Sequence, residues 1–173
     1  MCVAFAFFTY LGYRNMTEKQ KAFMREAIRL SVENVRSGKG GPFGAIIVKE
    51  EMILARGQNQ VTHSLDPTAH AEVVAIREAC RKLGHFQLEG CEIYASCEPC
   101  PMCLAAIYWA RLDHIFYTNT REDAARIGFD DDAIYREIGK PNDQREIPMT
   151  RIALAEAEAI FEEWLQKDDK IQY

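Results

Sequence analysis

Helical and strand-like patterns take turns along this chain, and that alternation restricts its fold more than any single motif. Residues 17–37 place Phe23, Ala27, Ile28, Leu30, Val32 and Val35 at a helical period, with Thr17 as the expected N-cap. Gly38, Gly40 and Gly41 then end the run. Residues 43–48 and 52–57 are short apolar runs split by Lys49-Glu50-Glu51, the pattern of a hairpin. A helix is predicted from Pro67-Thr68 to about Leu83 and a strand over 91–96; Pro99 or Pro101 opens the next helix, which reaches Ala110. A strand over 114–118 and a helix over 121–126 follow, then a polar stretch, a strand over 150–154 and a helix over 155–167. Such alternation implies one α/β domain over residues 16–173: a mixed five-stranded sheet with helices on both faces. Reactive groups in sheets of this kind gather beyond the carboxyl ends of the strands, where helices begin.

Composition narrows the partners. With 21 Lys+Arg against 26 Asp+Glu the formal charge is −5, which argues against general binding to nucleic acid or anionic membranes. No apolar run approaches the roughly 20 residues that span a bilayer, so a soluble, cytoplasmic protein is expected. A chain of 173 residues buries about 70% of its unfolded surface and needs no crosslink to hold it together. Residues 1–15 stand apart. They are apolar but lack the basic start and small-residue cleavage site of a signal peptide, whereas Met16-Thr17-Glu18-Lys19 reads as an ordinary protein start. Translation is expected to begin at Met16, with residues 1–15 a non-native or disordered extension; intact mass of the native protein checks this.

In a reducing compartment the six cysteines point to metal or catalysis rather than disulfides. Cys80 and Cys91 read as small buried hydrophobes, and Cys97 as strand-end packing. Cys100 and Cys103, three apart in the first turn of a helix, place both sulfurs on one face, where they can share a metal. The positive end of that helix favours thiolate. His70 adds a third ligand, and three ligands leave a tetrahedral zinc with an open corner for water, the arrangement of a catalytic site. Zinc with two thiolates acidifies water weakly, so a nearby carboxylate is needed to carry the proton; Glu72 is the candidate. Residues two apart in a helix point about 200° from each other, so His70 and Glu72 converge only if their helix starts beside them. His63, His85 and His114 have no partner at ligand spacing.

His70-Ala71-Glu72 followed by Pro99-Cys100-Pro101-Met102-Cys103 is the signature of the zinc nucleobase deaminases. The chain resembles the bacterial guanine deaminase branch of the cytidine-deaminase-like superfamily over residues 16–173. The resemblance runs through Gly40-Gly41-Pro42-Phe43-Gly44-Ala45, Gly57-Gln58-Asn59, Ala105-Ala106-Ile107-Tyr108-Trp109-Ala110, Gly128-Phe129-Asp130-Asp131, Ile134-Tyr135 and the terminal Tyr173. It implies a three-layer α/β/α sandwich, one zinc per subunit, and hydrolysis of guanine to xanthine and ammonia in purine catabolism or salvage. In that reaction a zinc-activated water attacks C2 and Glu72 shuttles the proton. It also implies that Asp131 helps the amine depart, that Asn59 and the Ala71 backbone N–H hydrogen-bond the base, that Phe43 stacks on it, and that Tyr173 closes the pocket. A homodimer that exchanges C-terminal segments is implied as well.

On residue chemistry alone the alternatives stay open. Phe43 is equally ordinary as a core aromatic, Asn59 as a turn cap, the run Asp130-Asp131-Asp132 as a solvated helix start, and Tyr173 as a frayed end. A tRNA adenosine deaminase shares the zinc motif but needs a basic surface; acidic residues dominate after Leu112, although Arg25, Arg29, Arg36 and Lys39 could form a patch. Deaminases of cytosine, pterins, other aminopurines or amino-triazines, and a non-catalytic zinc module, are the remaining readings.

Overall fold

The computed structural model describes residues 16–129 and 131–172; the expectations for residues 1–15, for Asp130 and for Tyr173 lie outside the described residues. Helix α1 (Glu18–Ser37) begins at a capping box in which Thr17 and Gln20 satisfy each other's backbone N–H groups, and it ends on Gly38 in the left-handed conformation. β1 (Gly44–Lys49) and β2 (Met52–Gln58) form the expected hairpin, antiparallel and bulged beyond Ile47. After a single helical turn, α2 (Val61–Ser64), come α3 (Ala71–Leu83), β3 (Cys91–Cys97), α4 (Pro101–Trp109) and β4 (His114–Asn119). The strand order is β2-β1-β3-β4, with β1 antiparallel to both neighbours and β3 parallel to β4, so the sheet is mixed.

Side-chain alternation along the strands splits the core into two layers. Ile46 and Val48 of β1 and Tyr94 of β3 pack against Ala27 and Leu30 of α1. Ala45 and Ile47 of β1, with Ile93 and Ala95 of β3, pack against Ala71, Ala75, Ile76 and Ala79 of α3 and Ile107 of α4. The result is helix, sheet, helix. At Gly57 of β2 an added Cβ would lie 2.1 Å from the Ala71 carbonyl oxygen, so β2 and the first turn of α3 touch backbone to backbone.

Three expectations need correction. Helix α3 starts at Ala71 rather than at Pro67-Thr68, because Asp66 Oδ1 accepts from the Thr68 N–H at 2.8 Å and holds those residues in an Asx turn. The sheet has four strands among the described residues, not five: residues 150–154 are irregular and exposed, since an alternating segment becomes a strand only where it finds a ladder partner. Beyond α5 (Arg121–Arg126) the chain forms an unexpected helix, α6 (Asp132–Ile138), then a 3₁₀ turn over Asn142–Gln144 and α7 (Ala155–Gln166). All of α7 is exposed. No helix among the described residues is long and apolar enough to cross a membrane.

Candidate active site

Two helix starts meet at the carboxyl end of the sheet. His70 is the N-cap of α3, with extended backbone (φ −68°, ψ 155°), and Glu72 is the second residue of that helix. The late start of α3 takes His70 out of the helical spiral, which lets an imidazole and a carboxylate two residues apart reach one place. Cys100 caps α4 in the same way, Pro101 fills its first position, and Cys103 lies in its first turn. The ligand atoms of His70, Cys100 and Cys103 lie within 4.8 Å of one another. His70 Nδ1 is 3.6 Å from Cys100 Sγ and 3.5 Å from Cys103 Sγ.

Those distances fit a metal. Zinc bonds of about 2.3 Å to sulfur and about 2.0 Å to nitrogen, opened at the tetrahedral angle, set the two atoms about 3.5 Å apart. A donor set of one nitrogen and two sulfurs also suits zinc better than the hard cations calcium and magnesium. Electrostatics act differently on the three groups. Hydrogen bonding from Cys103, helped by His70, pulls the Cys100 thiol down to about 4 against the opposing effect of burial. The same hydrogen bond, with burial, raises Cys103. Hydrogen bonding to Cys100 raises His70.

Glu72 is buried, and that burial raises its carboxyl above the usual range. It opens onto a cavity of about 580 Å³, together with His70, Cys100, Asn59, Phe43 and Asp131. Asp131 is the N-cap of α6 and is likewise raised by burial. The Tyr135 hydroxyl fastens that helix to the cysteine loop, donating to the Pro99 carbonyl at 3.2 Å, while the Arg121 guanidinium lies 5.1 Å from the centre of its ring. Ala71 opens α3, where the first backbone amides of a helix lack intrahelical acceptors. Every expected site residue that the structure describes is thus brought to one end of the sheet, and Tyr173 lies outside the described residues.

Cys97 also borders the cavity, but it falls outside the ligand group: its thiol donates to the Thr120 carbonyl at 3.6 Å, and burial pushes it up to about 11. Cys91 is fully buried in the core and Cys80 packs against it. His63, His85 and His114 are exposed.

Sequence reasoning missed Phe129 as part of the wall. Its ring meets Phe43 edge to face at 4.8 Å and 86°. The signal was present in the Phe129-Asp130-Asp131 block, but a phenylalanine after a glycine says nothing about which cavity it faces. Asn34 was also missed; it sits on α1, remote in sequence from every ligand, and is fully buried.

This sandwich, with a His/Cys/Cys group at two helix starts and a buried glutamate beside it, defines a deaminase of the cytidine and deoxycytidylate deaminase family. The zinc-binding region of that family matches residues 17–119, and the chain belongs to it. Within the family it is similar to guanine deaminase of Bacillus subtilis (strain 168), at 53% identity over 153 residues, 88% of this chain and 98% of the relative. The crystal structure of guanine deaminase from Bacillus subtilis superposes with a TM-score of 0.87 at 52% identity, covering 91% of this chain and 99% of that one. The tRNA-specific adenosine deaminase of Aquifex aeolicus (strain VF5) is 33% identical over 145 residues, 84% of this chain and 93% of the relative.

Proposed function

We propose that the protein is a zinc-dependent guanine deaminase, a hydrolase that converts guanine and water to xanthine and ammonia in purine catabolism. The observation that carries this reading is a group of three metal-ligating side chains, of which His70 and Cys100 line one largely apolar cavity together with the buried Glu72. The likeness to the Bacillus subtilis guanine deaminase, along nearly the whole of both chains, supports the choice of base.

His70 Nδ1, Cys100 Sγ and Cys103 Sγ would hold one zinc. When bound, zinc supplies an acidified water as the nucleophile toward C2 of the base. Glu72 takes the proton of that water and delivers it to the ring nitrogen beside C2. Asp131, across the cavity, carries the second proton to the departing amine. Phe43 stacks on the purine, with Phe129 bracing it, and Asn59 and the Ala71 N–H hydrogen-bond its polar edge. A site built to pair polar groups rejects bases lacking them by roughly 10⁴-fold or more. Tyr173 closes the pocket.

The enzyme acts as a cytoplasmic homodimer that exchanges its C-terminal segments. Support comes from apolar side chains left exposed in one copy: Phe161 and Leu165 on α7, and Tyr108 and Tyr117 on α4 and β4.

The likeness to tRNA adenosine deaminases keeps RNA as the second reading. Against it, Arg29 of the expected basic patch is tied to Glu26 and Glu33. A panel of free bases, nucleosides and the tRNA anticodon stem-loop, assayed for ammonia with zinc-loaded protein, decides between them. Ammonia from guanine and none from the stem-loop is expected; the reverse overturns the reading.

A further inference from the structure

Asn34 lies on the sheet-facing side of α1, near its C-terminal end, and reaches no ligand of the metal group. It is nonetheless 1% exposed, and a primary amide is buried at a heavy desolvation cost unless its hydrogen bonds are made. Its Nδ2 donates twice, to the Gly41 carbonyl at 2.8 Å and to the Asn59 carbonyl at 2.9 Å. Asn59 answers across the same gap: its Oδ1 accepts from the Gly41 N–H at 3.3 Å and from the Val61 N–H at 3.4 Å. The Asn59 N–H donates to the Phe43 carbonyl at 3.2 Å. Together these bonds close a ring through Asn34, Gly41 and Asn59, and the ring engages every polar group of Asn59 except its Nδ2.

The ring leaves no slack. A Cβ on Gly40 would lie 2.2 Å from the Asn59 carbonyl oxygen and 2.9 Å from Asn34 Nδ2. On Gly41 it would lie 3.3 Å from atoms of both Phe43 and Phe129, the aromatic pair of the cavity wall. One buried amide therefore sets the separation between the Gly40-Gly41 turn, which backs the aromatic pair, and Asn59.

We infer that Asn34 is a positioning residue for base recognition. By fixing the turn and the Asn59 backbone together, it orients the Asn59 side chain so that Nδ2 is the N–H donor offered to an acceptor on the base, such as a ring carbonyl. The inference rests on the proposed role of the cavity in binding a free base and adds a residue outside that cavity.

Steady-state kinetics of Asn34→Ala, Asn59→Ala and the double variant test it. Losing the two hydrogen bonds is expected to raise KM about tenfold while kcat stays within about threefold, because the metal ligands and Glu72 stand on other elements. In the Asn59→Ala background the same change is expected to add less than about twofold to KM, since its effect passes through Asn59. An unchanged KM in folded Asn34→Ala, or the full factor repeated in the Asn59→Ala background, overturns the inference. Should Asn34→Ala fail to fold, Gly40→Ala strains the same ring from the loop side and is expected to raise KM with kcat retained; an unchanged KM there is equally fatal. Wild-type protein that is inert toward guanine counts against the substrate reading alone. The cycle is then run with whichever base the panel shows to be turned over, or read as the Kd of whichever base binds.

Discussion

The buried residues of the core come from α1 through the end of α4, whereas from α6 onward no described residue is buried. Ile93 at the centre of the sheet is fully buried, whereas Phe161 on α7 is 74% exposed. Both regions carry an ordinary amphipathic pattern, and α7 has the same alternation of glutamates and apolar residues that a core helix has. What separates them is the presence of a surface to cover. The first region encloses its own core and the metal-ligating group. The second presents an apolar face that a single copy leaves in water, the face that the proposed exchange of C-terminal segments would cover.

Substitutions that should act in one region and not the other sharpen that contrast. The largest effect belongs to Glu72→Ala, expected to lower kcat by about 10³-fold or more while zinc content, read by elemental analysis, stays at one per chain. Activity within tenfold of wild type would remove Glu72 from the proton path. Next comes Ile93→Ala, which empties a fully buried site; a loss of about 2–5 kcal/mol in denaturant unfolding is expected, independent of protein concentration. Phe161→Ala is the counterpart in the arm. If a second copy covers α7, sedimentation should show the dimer weakened by about ten- to a hundredfold. A change below about 0.5 kcal/mol with the oligomer unaltered would mean that the arm lies free in water.

The smallest effect is a control on the closed region. Hydrogen bonds from Arg29 and Arg56 hold the Glu26 carboxyl down to about 2, from its ordinary 4.5. A depressed carboxylate stabilises the fold fully above its unfolded value, and that contribution disappears as pH falls toward the folded value. Glu26→Gln should therefore cost about 1 kcal/mol at pH 7, because both arginines are half exposed, and the gap to wild type should close between about pH 4.5 and pH 2.

The same contrast explains what the sequence disclosed. The capping box of α1, the hairpin and the cysteine-bearing start of α4 are local arrangements, written in residues a few positions apart. The start of α3 was misplaced because Pro67-Thr68 satisfies a helix-start pattern while Asp66 uses those residues for a turn. That displacement is what lets His70 and Glu72 meet, so the motif was legible and the geometry that makes it work was not. Phe129 and Asn34 escaped because their roles depend on elements distant in sequence. Residues 150–154 alternate like a strand, yet alternation cannot say whether an edge is within reach.

The sheet order has a consequence for how the molecule assembles. His70 follows β2, the cysteines follow β3, and β1 lies between those strands, antiparallel to each. Until β1 zippers onto β3, imidazole and sulfurs ride on separate fragments of a partly formed chain. The group of His70, Cys100 and Cys103 can thus form only once the two fragments have joined. Uptake of metal, followed in time, would serve as a clock for the closing of the sheet, and thiols waiting for that moment are the ones most open to oxidation.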